Sequence, residues 1–224
     1  MKTYFQKTHF RVLHLRRIDM SGMSFQEMLD TFLVVTAQEG NISKVAELLS
    51  KGARVDAREQ GYTPLLVAAQ YGHTEVCELL LANGSDLEEK MPDTLFTALH
   101  YAALYGHQSL LQLLLSQNAD MNSRSRLKAT PLLLASQEGH VAFVVTLLLA
   151  GADPLLPAGD GALPIHVAAQ ENQSEVVRIL IDYGGCNPDQ VKQSIYPLSH
   201  KYHHSLFVAR HGGSWADTTD VRRL

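Results

Sequence analysis

A short motif returns along this chain at an almost constant interval, and this period constrains the fold more than any other feature of the sequence. The motif is a three-residue unit that reads Thr63-Pro64-Leu65, Thr97-Ala98-Leu99, Thr130-Pro131-Leu132 and Leu163-Pro164-Ile165. Its starting positions are separated by 34, 33 and 33 residues. A fixed period of 20 to 50 residues is typical of a chain built from stacked copies of one small structural unit.

Other positions repeat in the same register. Each triplet is followed by two small residues and then by glycine or asparagine: Ala68-Ala69 with Gly72, Ala102-Ala103 with Gly106, Ala135-Ser136 with Gly139, and Ala168-Ala169 with Asn172. Two apolar columns follow, formed by Val76, Leu110, Phe143 and Val176 and by Leu80, Leu114, Leu147 and Leu180. Position by position, the units therefore share one pattern of small, turn and core residues.

The residue types predict two short antiparallel helices in each unit. Threonine before proline favours a helix start, because its hydroxyl accepts from free backbone N–H groups and proline lacks the N–H that would stay unpaired. Small residues allow a second helix to approach closely, and Gly72, Gly106 and Gly139 can adopt the left-handed conformation that ends the first helix. One pair buries too little apolar surface to fold alone, so neighbouring units must stack.

These motifs resemble the ankyrin repeat, which has a T-P-L-H-x-A signature and a period of about 33 residues. The resemblance covers roughly Leu29 to Pro188 and includes an earlier degenerate unit, in which Ala37, Gly40, Val45, Leu48, Leu49 and Gly52 occupy the same columns. It implies an all-α solenoid of stacked antiparallel helix pairs joined by β-hairpin loops. We expect five repeats within residues 28–190, at about 28–59, 60–93, 94–126, 127–159 and 160–190.

The two flanks do not fit the repeat. Residues 1–27 hold five basic residues against two acidic ones, and we expect a disordered, helical or non-native extension there. A mitochondrial presequence is the alternative, and Met20 and Met23 are alternative starts. Residues 191–224 contain one more triplet, Tyr196-Pro197-Leu198, without the small pair or the glycine. They are predicted to be a degenerate sixth repeat or a disordered tail that replaces further repeats.

Composition excludes several classes of protein. No apolar run approaches the roughly 18 to 20 residues of a membrane helix, so we expect no contact with a membrane. Cys77 and Cys186 are the only cysteines and form no CxxC motif, which favours a reducing compartment, the cytoplasm or alternatively the nucleus. Between residues 28 and 190 there are nineteen acidic and nine basic residues. This acidic balance disfavours nucleic acid as a partner, and we expect a monomer.

No arrangement of residues supports catalysis or a cofactor. The sequence has no GxSxG, HExxH, Walker or GxGxxG motif to hold a catalytic site, so we expect neither enzyme activity nor a cofactor. His200, His203, His204 and His211, with Cys186, are the only zinc candidates, and a solvated histidine-rich loop is the preferred interpretation, with no metal bound. His73, His107 and His140 recur at the repeat spacing and are predicted to be structural. Cys77 lies in an apolar column and is predicted to be a buried hydrophobic residue.

The resemblance implies that a protein partner lies across a concave groove lined by the first helices and the hairpin tips. We expect the core to leave free the two residues that end each first helix: Gln38 and Glu39, Gln70 and Tyr71, Leu104 and Tyr105, Gln137 and Glu138, and Gln170 and Glu171. Tyrosine is enriched in binding centres, so Tyr71 and Tyr105 are the predicted anchors; the alternative is that they only cover helix ends. The predicted contact residues are Tyr62, Gln70, Tyr71, Phe96, Leu104, Tyr105, Arg124, Arg126, Gln137 and Glu138.

The sequence therefore predicts a non-enzymatic adaptor or scaffold that binds an unidentified protein. An alternative begins from 128–132 and 162–166, which read Lys-Ala-Thr-Pro-Leu and Ala-Leu-Pro-Ile-His. These segments resemble units of ankyrin proteins that carry a SOCS box, the substrate receptors of cullin ubiquitin ligases. Because no such box is recognised in this sequence, this resemblance implies only the substrate-binding part of a receptor.

Overall fold

The computed structural model describes residues 22–187. The predictions made for 1–21 and for 188–224, including the presequence alternative, the sixth triplet and the four zinc-candidate histidines, lie outside the described residues.

Within residues 22–187 the chain forms ten α-helices and no named strand, so the all-α prediction is confirmed. In chain order they are α1 Phe25–Gln38, α2 Ile42–Ser50, α3 Pro64–Tyr71, α4 Thr74–Ala82, α5 Ala98–Tyr105, α6 Gln108–Ser116, α7 Pro131–Glu138, α8 Val141–Leu149, α9 Pro164–Gln170 and α10 Ser174–Asp182. The helices come in five consecutive pairs. The odd-numbered helices, which open each unit, are called the inner helices below. None of the helices in this part of the chain is long and apolar enough to cross a bilayer.

The inner helices begin where the triplets predict. The hydroxyl oxygens of Thr63 and Thr130 accept hydrogen bonds from Leu66 N and Leu133 N, at 3.3 and 3.2 Å, and proline occupies the first position of both helices. Such a cap stabilises a helix by about 1 kcal/mol. The threonine and proline of the triplet thus start these two helices in the way that the sequence predicts.

Helix α1 begins earlier than expected. It starts at Phe25, inside the segment predicted as the N-terminal extension, because Ser24 caps it. Ser24 Oγ accepts from Glu27 N at 3.2 Å, and the Glu27 carboxylate accepts from Ser24 N at 2.7 Å. This reciprocal pair is a capping box, and it adds nearly a turn in front of the first repeat.

Stacking of the pairs produces one continuous core. Each inner helix packs against the next inner helix, and each second helix packs against the next second helix. The two predicted apolar columns are buried throughout, with side chains no more than 1% exposed: Val76, Leu80, Leu110, Leu114, Phe143, Leu147, Val176 and Leu180. Cys77 is fully buried beside them, as predicted.

Tight turns at the hairpin tips connect one unit to the next. Backbone hydrogen bonds close these tips at Glu59–Tyr62, Met91–Phe96, Ser125–Ala129 and Ala158–Ala162. Neighbouring tips also bond to each other, since Arg126 N donates to Thr94 O at 2.7 Å and Gly159 N donates to Leu127 O at 2.8 Å. The tips therefore form a second set of contacts between units, in addition to those between the helices.

Candidate functional site

The C-terminal ends of the inner helices lie in a row whose register is fixed by histidines. His73 Nε2 donates to Gln38 O at 2.9 Å, and His107 Nε2 donates to Gln70 O at 3.0 Å. His140 Nε2 makes the same bond to Leu104 O at 3.2 Å. Each bond joins one unit to the carbonyl of the unit before it, so the structural role predicted for these three histidines is confirmed.

The glycine that ends an inner helix provides the space for the next histidine. A Cβ atom added to Gly72 would lie 2.6 Å from His107 Nδ1, and one added to Gly106 would lie 2.7 Å from His140 Nδ1. Both glycines have positive φ, 74° and 72°. Glycine at this position thus ends the inner helix and also leaves room for the histidine whose hydrogen bond holds the next unit in register.

Two tyrosines stand on this row. Tyr71 is 38% exposed, stacks on His73 with ring centroids 6.1 Å apart, and its hydroxyl accepts from Gln38 Nε2 at 3.1 Å. Tyr105 is half-buried and stacks on His107 at 5.8 Å. Burial raises the pKa of the Tyr105 hydroxyl, and a hydrogen bond with Gln70 opposes that rise. Both rings are held by histidine and by the preceding unit's glutamine, so they are ordered before any partner arrives.

A second aromatic group lies beneath the surface. Phe96 is 4% exposed, with its ring stacked on His100 at 5.2 Å and edge-on to Tyr101 at 5.4 Å. Tyr62 is 8% exposed and its ring centroid lies 6.3 Å from that of Tyr101. Burial raises the pKa values of both Tyr62 and Tyr101, whose hydroxyls share a hydrogen bond. Phe96 and Tyr62 were predicted to contact a partner, but both are buried beneath the surface.

Two further predicted contact residues are also covered. The expectation that the core leaves Leu104 and Gln137 free is wrong, because they are 7% and 4% exposed. Leu104 is the second-last residue of helix α5, which packs between α3 and α7, and this central position covers its side chain. At the same position Gln38 and Gln70 are half-buried and Gln170 is exposed. Exposure in this column therefore changes along the array, which a shared sequence pattern does not show.

Two of the three basic residues at the tip between the third and fourth units bind neighbouring tips. Arg126 donates through Nε to Asp93 O at 2.7 Å and through Nη2 to Pro92 O at 2.6 Å. Arg124 donates to Pro157 O, and its Nε atom is buried without a partner. Lys128 is exposed at the turn of the same tip. Arg124 and Arg126 thus hold neighbouring tips together.

Tyr101 was missed by the sequence analysis. It occupies a column whose other members are the aliphatic residues Val67, Leu134 and Val167, and its hydroxyl reaches Tyr62 and Thr94. An aromatic residue in an otherwise aliphatic column was the available signal. Tyr101 joins Phe96 and Tyr62 in one buried aromatic cluster.

No group of three or more metal-ligating side chains occurs among residues 22–187. Burial raises the pKa of the Cys77 thiol to about 12 and that of the Cys186 thiol to about 11. Reactive cysteines need a low pKa and access to solvent. Both thiols are buried and protonated, so they are packing groups.

The repeat pattern and the stacked pairs agree with a comparison to protein families. A family model described as ankyrin repeats in three copies matches residues 13–91, 33–125 and 99–192. The chain belongs to the ankyrin-repeat family. Ankyrin repeats are generally non-enzymatic modules for protein interaction, so the family implies a protein partner.

Several known proteins are similar in sequence to the chain. Human ankyrin repeat and SOCS box protein 6 is 33% identical over 168 residues, which cover 71% of this chain and 40% of the relative. Ankyrin repeat and KH domain-containing protein mask-1 of Caenorhabditis elegans is 34% identical over 158 residues, 70% of this chain and 5% of the relative. The mitochondrial disaggregase of Bos taurus is 32% identical over 154 residues, 67% of this chain and 22% of the relative. The chain therefore spans 40% or less of the length of these three proteins.

Proposed function

We propose that this chain is a non-enzymatic adaptor that binds a protein partner along the row of inner-helix ends, with Tyr71 and Tyr105 as its anchors. The observation that carries the proposal is the stacking of both tyrosines on histidines that are themselves fixed by hydrogen bonds to the preceding unit. An aromatic side chain held in place loses little conformational entropy on binding. Tyr71 also retains an exposed surface for a partner to cover.

The charges around the tyrosines favour a partner segment with basic side chains. Glu39 and Glu138 occupy the equivalent positions on either side of Tyr71 and Tyr105, and both are exposed. The inner helices point their C-terminal ends to this row, and a helix C-terminus carries partial negative charge. A lysine or arginine of the partner would be attracted to the carboxylates and to the faces of the tyrosine rings.

The test compares the affinities of several variants for one partner protein. That partner is captured from cell lysate, identified, and then titrated as a purified protein. Tyr71→Ala should weaken binding at least about thirtyfold, since truncating an anchor costs about 2 kcal/mol or more. Tyr71→Ala together with Tyr105→Ala should weaken it further. Gln112→Ala, an exposed site on helix α6, is the matched control and should bind like the original chain.

Thermal unfolding separates binding from folding. An exposed substitution such as Tyr71→Ala should change stability by about 0.5 kcal/mol or less. If Tyr71→Ala unfolds several degrees lower and still binds with the original affinity, the tyrosine only covers a helix end and the proposal fails.

The alternative function is the substrate-binding part of a ubiquitin ligase receptor. It is favoured by the 33% identity to a protein whose name includes a SOCS box. Fusing the SOCS box of that human relative to this chain should lower the cellular level of the captured partner in a proteasome-dependent way. A partner that binds the fusion and keeps its level would support the adaptor alone.

A further inference from the structure

Helix α8 presents an apolar strip to solvent. Val141 at its start is 37% exposed and Leu149 at its end is 77% exposed, while Ala142 is exposed and Val145 is half-buried. Residues four apart lie on the same side of a helix. Val141, Val145 and Leu149 therefore form one strip along the whole of α8, with Ala142 at its edge.

The one polar residue of α8 does not interrupt this strip. Thr146 is the only polar residue in the helix, and its hydroxyl is already engaged. It accepts from Gln108 Nε2 on α6 and donates to Ala142 O, both at 2.9 Å. The side chains that α8 leaves to solvent are thus all aliphatic.

The other second helices are polar at the positions of the strip. All five second helices have nine residues, so their positions correspond one to one. Each of the other four carries two or more polar or charged residues at these four positions: Ser43 and Ser50 in α2, Thr74, Glu75 and Glu78 in α4, Gln108, Ser109, Gln112 and Ser116 in α6, and Ser174, Glu175, Arg178 and Asp182 in α10. The repeat fold therefore does not require apolar residues there, and a helix that is apolar on all sides is ordinarily covered.

The helices that flank α8 differ in charge. Helix α6 carries only neutral polar side chains at these positions, whereas α10 carries Glu175, Arg178 and Asp182. Arg178 and Glu175 lie 3.3 Å apart, so the exposed carboxylate of Asp182 gives α10 an excess negative charge. Asp182 holds the position that Leu149 holds on α8, and Tyr183 directly after it is 72% exposed. A basic side chain of a partner would complement this edge of the strip.

The size of the strip favours a single helix over a second copy of the array. A nine-residue helix is about 13 Å long and about 10 Å wide. One side of α8 therefore offers at most a few hundred Å², well below the roughly 800 Å² per subunit of a stable interface. A helix of a partner, lying along α8, needs no larger footprint.

We propose that the outer side of α8 is a second docking surface, which binds an amphipathic helix of a partner protein. That helix has apolar side chains at every third and fourth position, a spacing by which helices are recognised in grooves, and a basic edge that lies over α10. The surface is distinct from the row that carries Tyr71 and Tyr105, which end helices α3 and α5. The inference therefore goes beyond the proposed function, because it gives the adaptor a second place to hold a protein.

Three synthetic peptides test the chemistry of the occupant. The first is a helix of about four turns, with leucine at every third and fourth position and lysine along one edge. The second has the same composition in scrambled order, and the third has glutamate in place of lysine. Titration of each dye-labelled peptide with the full-length chain, followed by fluorescence anisotropy, should show the tightest binding for the first peptide.

Variants of the full-length chain locate the binding site. Val145→Gln with Leu149→Ser places on α8 the residues that α6 has at the same positions, Gln112 and Ser116. The double variant should therefore keep its unfolding temperature but bind the first peptide at least about tenfold more weakly, since a buried leucine or valine contributes about 1.5 kcal/mol or more. Glu78→Gln, at the same position of α4, is the matched control and should bind normally.

Several results would overturn the proposal. They are failure of the first peptide to bind the original chain, equally tight binding of the scrambled or the glutamate peptide, and unchanged affinity in the double variant. A dimer of the original chain in light scattering that is lost in the double variant would assign the strip to a second copy instead. Tyr71→Ala should leave peptide binding unchanged, so failure at α8 is distinct from failure of the proposed function; loss of peptide binding in Tyr71→Ala alone would place the peptide on the tyrosine row.

Discussion

At the scale of single residues, four histidines within residues 22–187 use Nε2 to bond to neighbouring units in two opposite directions. His73, His107 and His140 reach back to a carbonyl of the preceding unit, whereas His100 reaches forward to Ala129. A ring nitrogen that donates to a carbonyl must carry the proton, so Nδ1 of His100 is the acceptor for Thr97. The neutral ring satisfies both neighbours, and a second proton would remove the acceptor.

Burial gives His100 a measurable pH dependence. It lowers the pKa of His100 to about 4 from an ordinary value of 6.5. Between these values the unfolded chain binds a proton that the folded chain does not, so stability falls as pH falls through this window. The free-energy difference between the original chain and His100→Leu should therefore shrink by about 1 to 2 kcal/mol from about pH 7.5 to about pH 5.

Urea unfolding at the two pH values measures that difference. Carboxylates also titrate as the pH falls, but they are shared by both proteins and cancel in the comparison. A difference that stays constant with pH would show that His100 does not remain neutral in the folded chain.

At the scale of helices and turns, much of the fold could be predicted because the relevant chemistry is local. Thr63 and Thr130 cap helices, and Gly72 ends one, through contacts within a few residues. The exposure of Leu104 and Gln137 could not be predicted, since it depends on how closely adjacent inner helices approach. The candidate site was therefore found only in part: Tyr71 was placed at the surface correctly, while Phe96 and Tyr62 were expected there and are buried.

Two glycines with similar backbone angles should differ in the cost of an added methyl group. Gly72 has φ 74°, and a Cβ there would lie 2.6 Å from the His107 ring, whereas Gly84 has φ 91° with nothing within 4 Å. Gly84→Ala should cost about 1 to 2 kcal/mol from left-handed strain alone. Gly72→Ala should cost more, about 2 to 4 kcal/mol, because the bond from His107 to Gln70 is also displaced.

Chemical denaturation of both glycine variants gives the comparison directly. Equal destabilisation by the two substitutions would mean that the His107 ring moves aside freely, and that its bond to Gln70 contributes little to the register of the units.

At the scale of the whole molecule, stability is shared between units because neighbouring helix pairs pack against each other and form one continuous core. Leu114 is fully buried in the central pair, and Gln112 on the same helix is exposed. Leu114→Ala should lower the free energy of unfolding by about 2 to 5 kcal/mol, whereas Gln112→Ala should change it by about 0.5 kcal/mol or less.

Circular dichroism during urea unfolding tests this sharing. Because neighbouring pairs depend on the same core, the free energy lost in Leu114→Ala should shift the unfolding transition of all the helices. A transition that splits, with most of the helical signal unchanged, would indicate that the pairs fold independently.

The hairpin tips differ in length, whereas the second, third and fourth helix pairs each consist of an eight-residue and a nine-residue helix. The closing hydrogen bond spans Glu59 to Tyr62 in one tip, Met91 to Phe96 in the next, and Ser125 to Ala129 in the third, yet each tip ends one residue before a triplet. Insertions and deletions are thus absorbed at the edge of the stack, where loops tolerate them. Evolution or protein engineering can therefore change the length and sequence of the tips while the stacked helices keep the same packing.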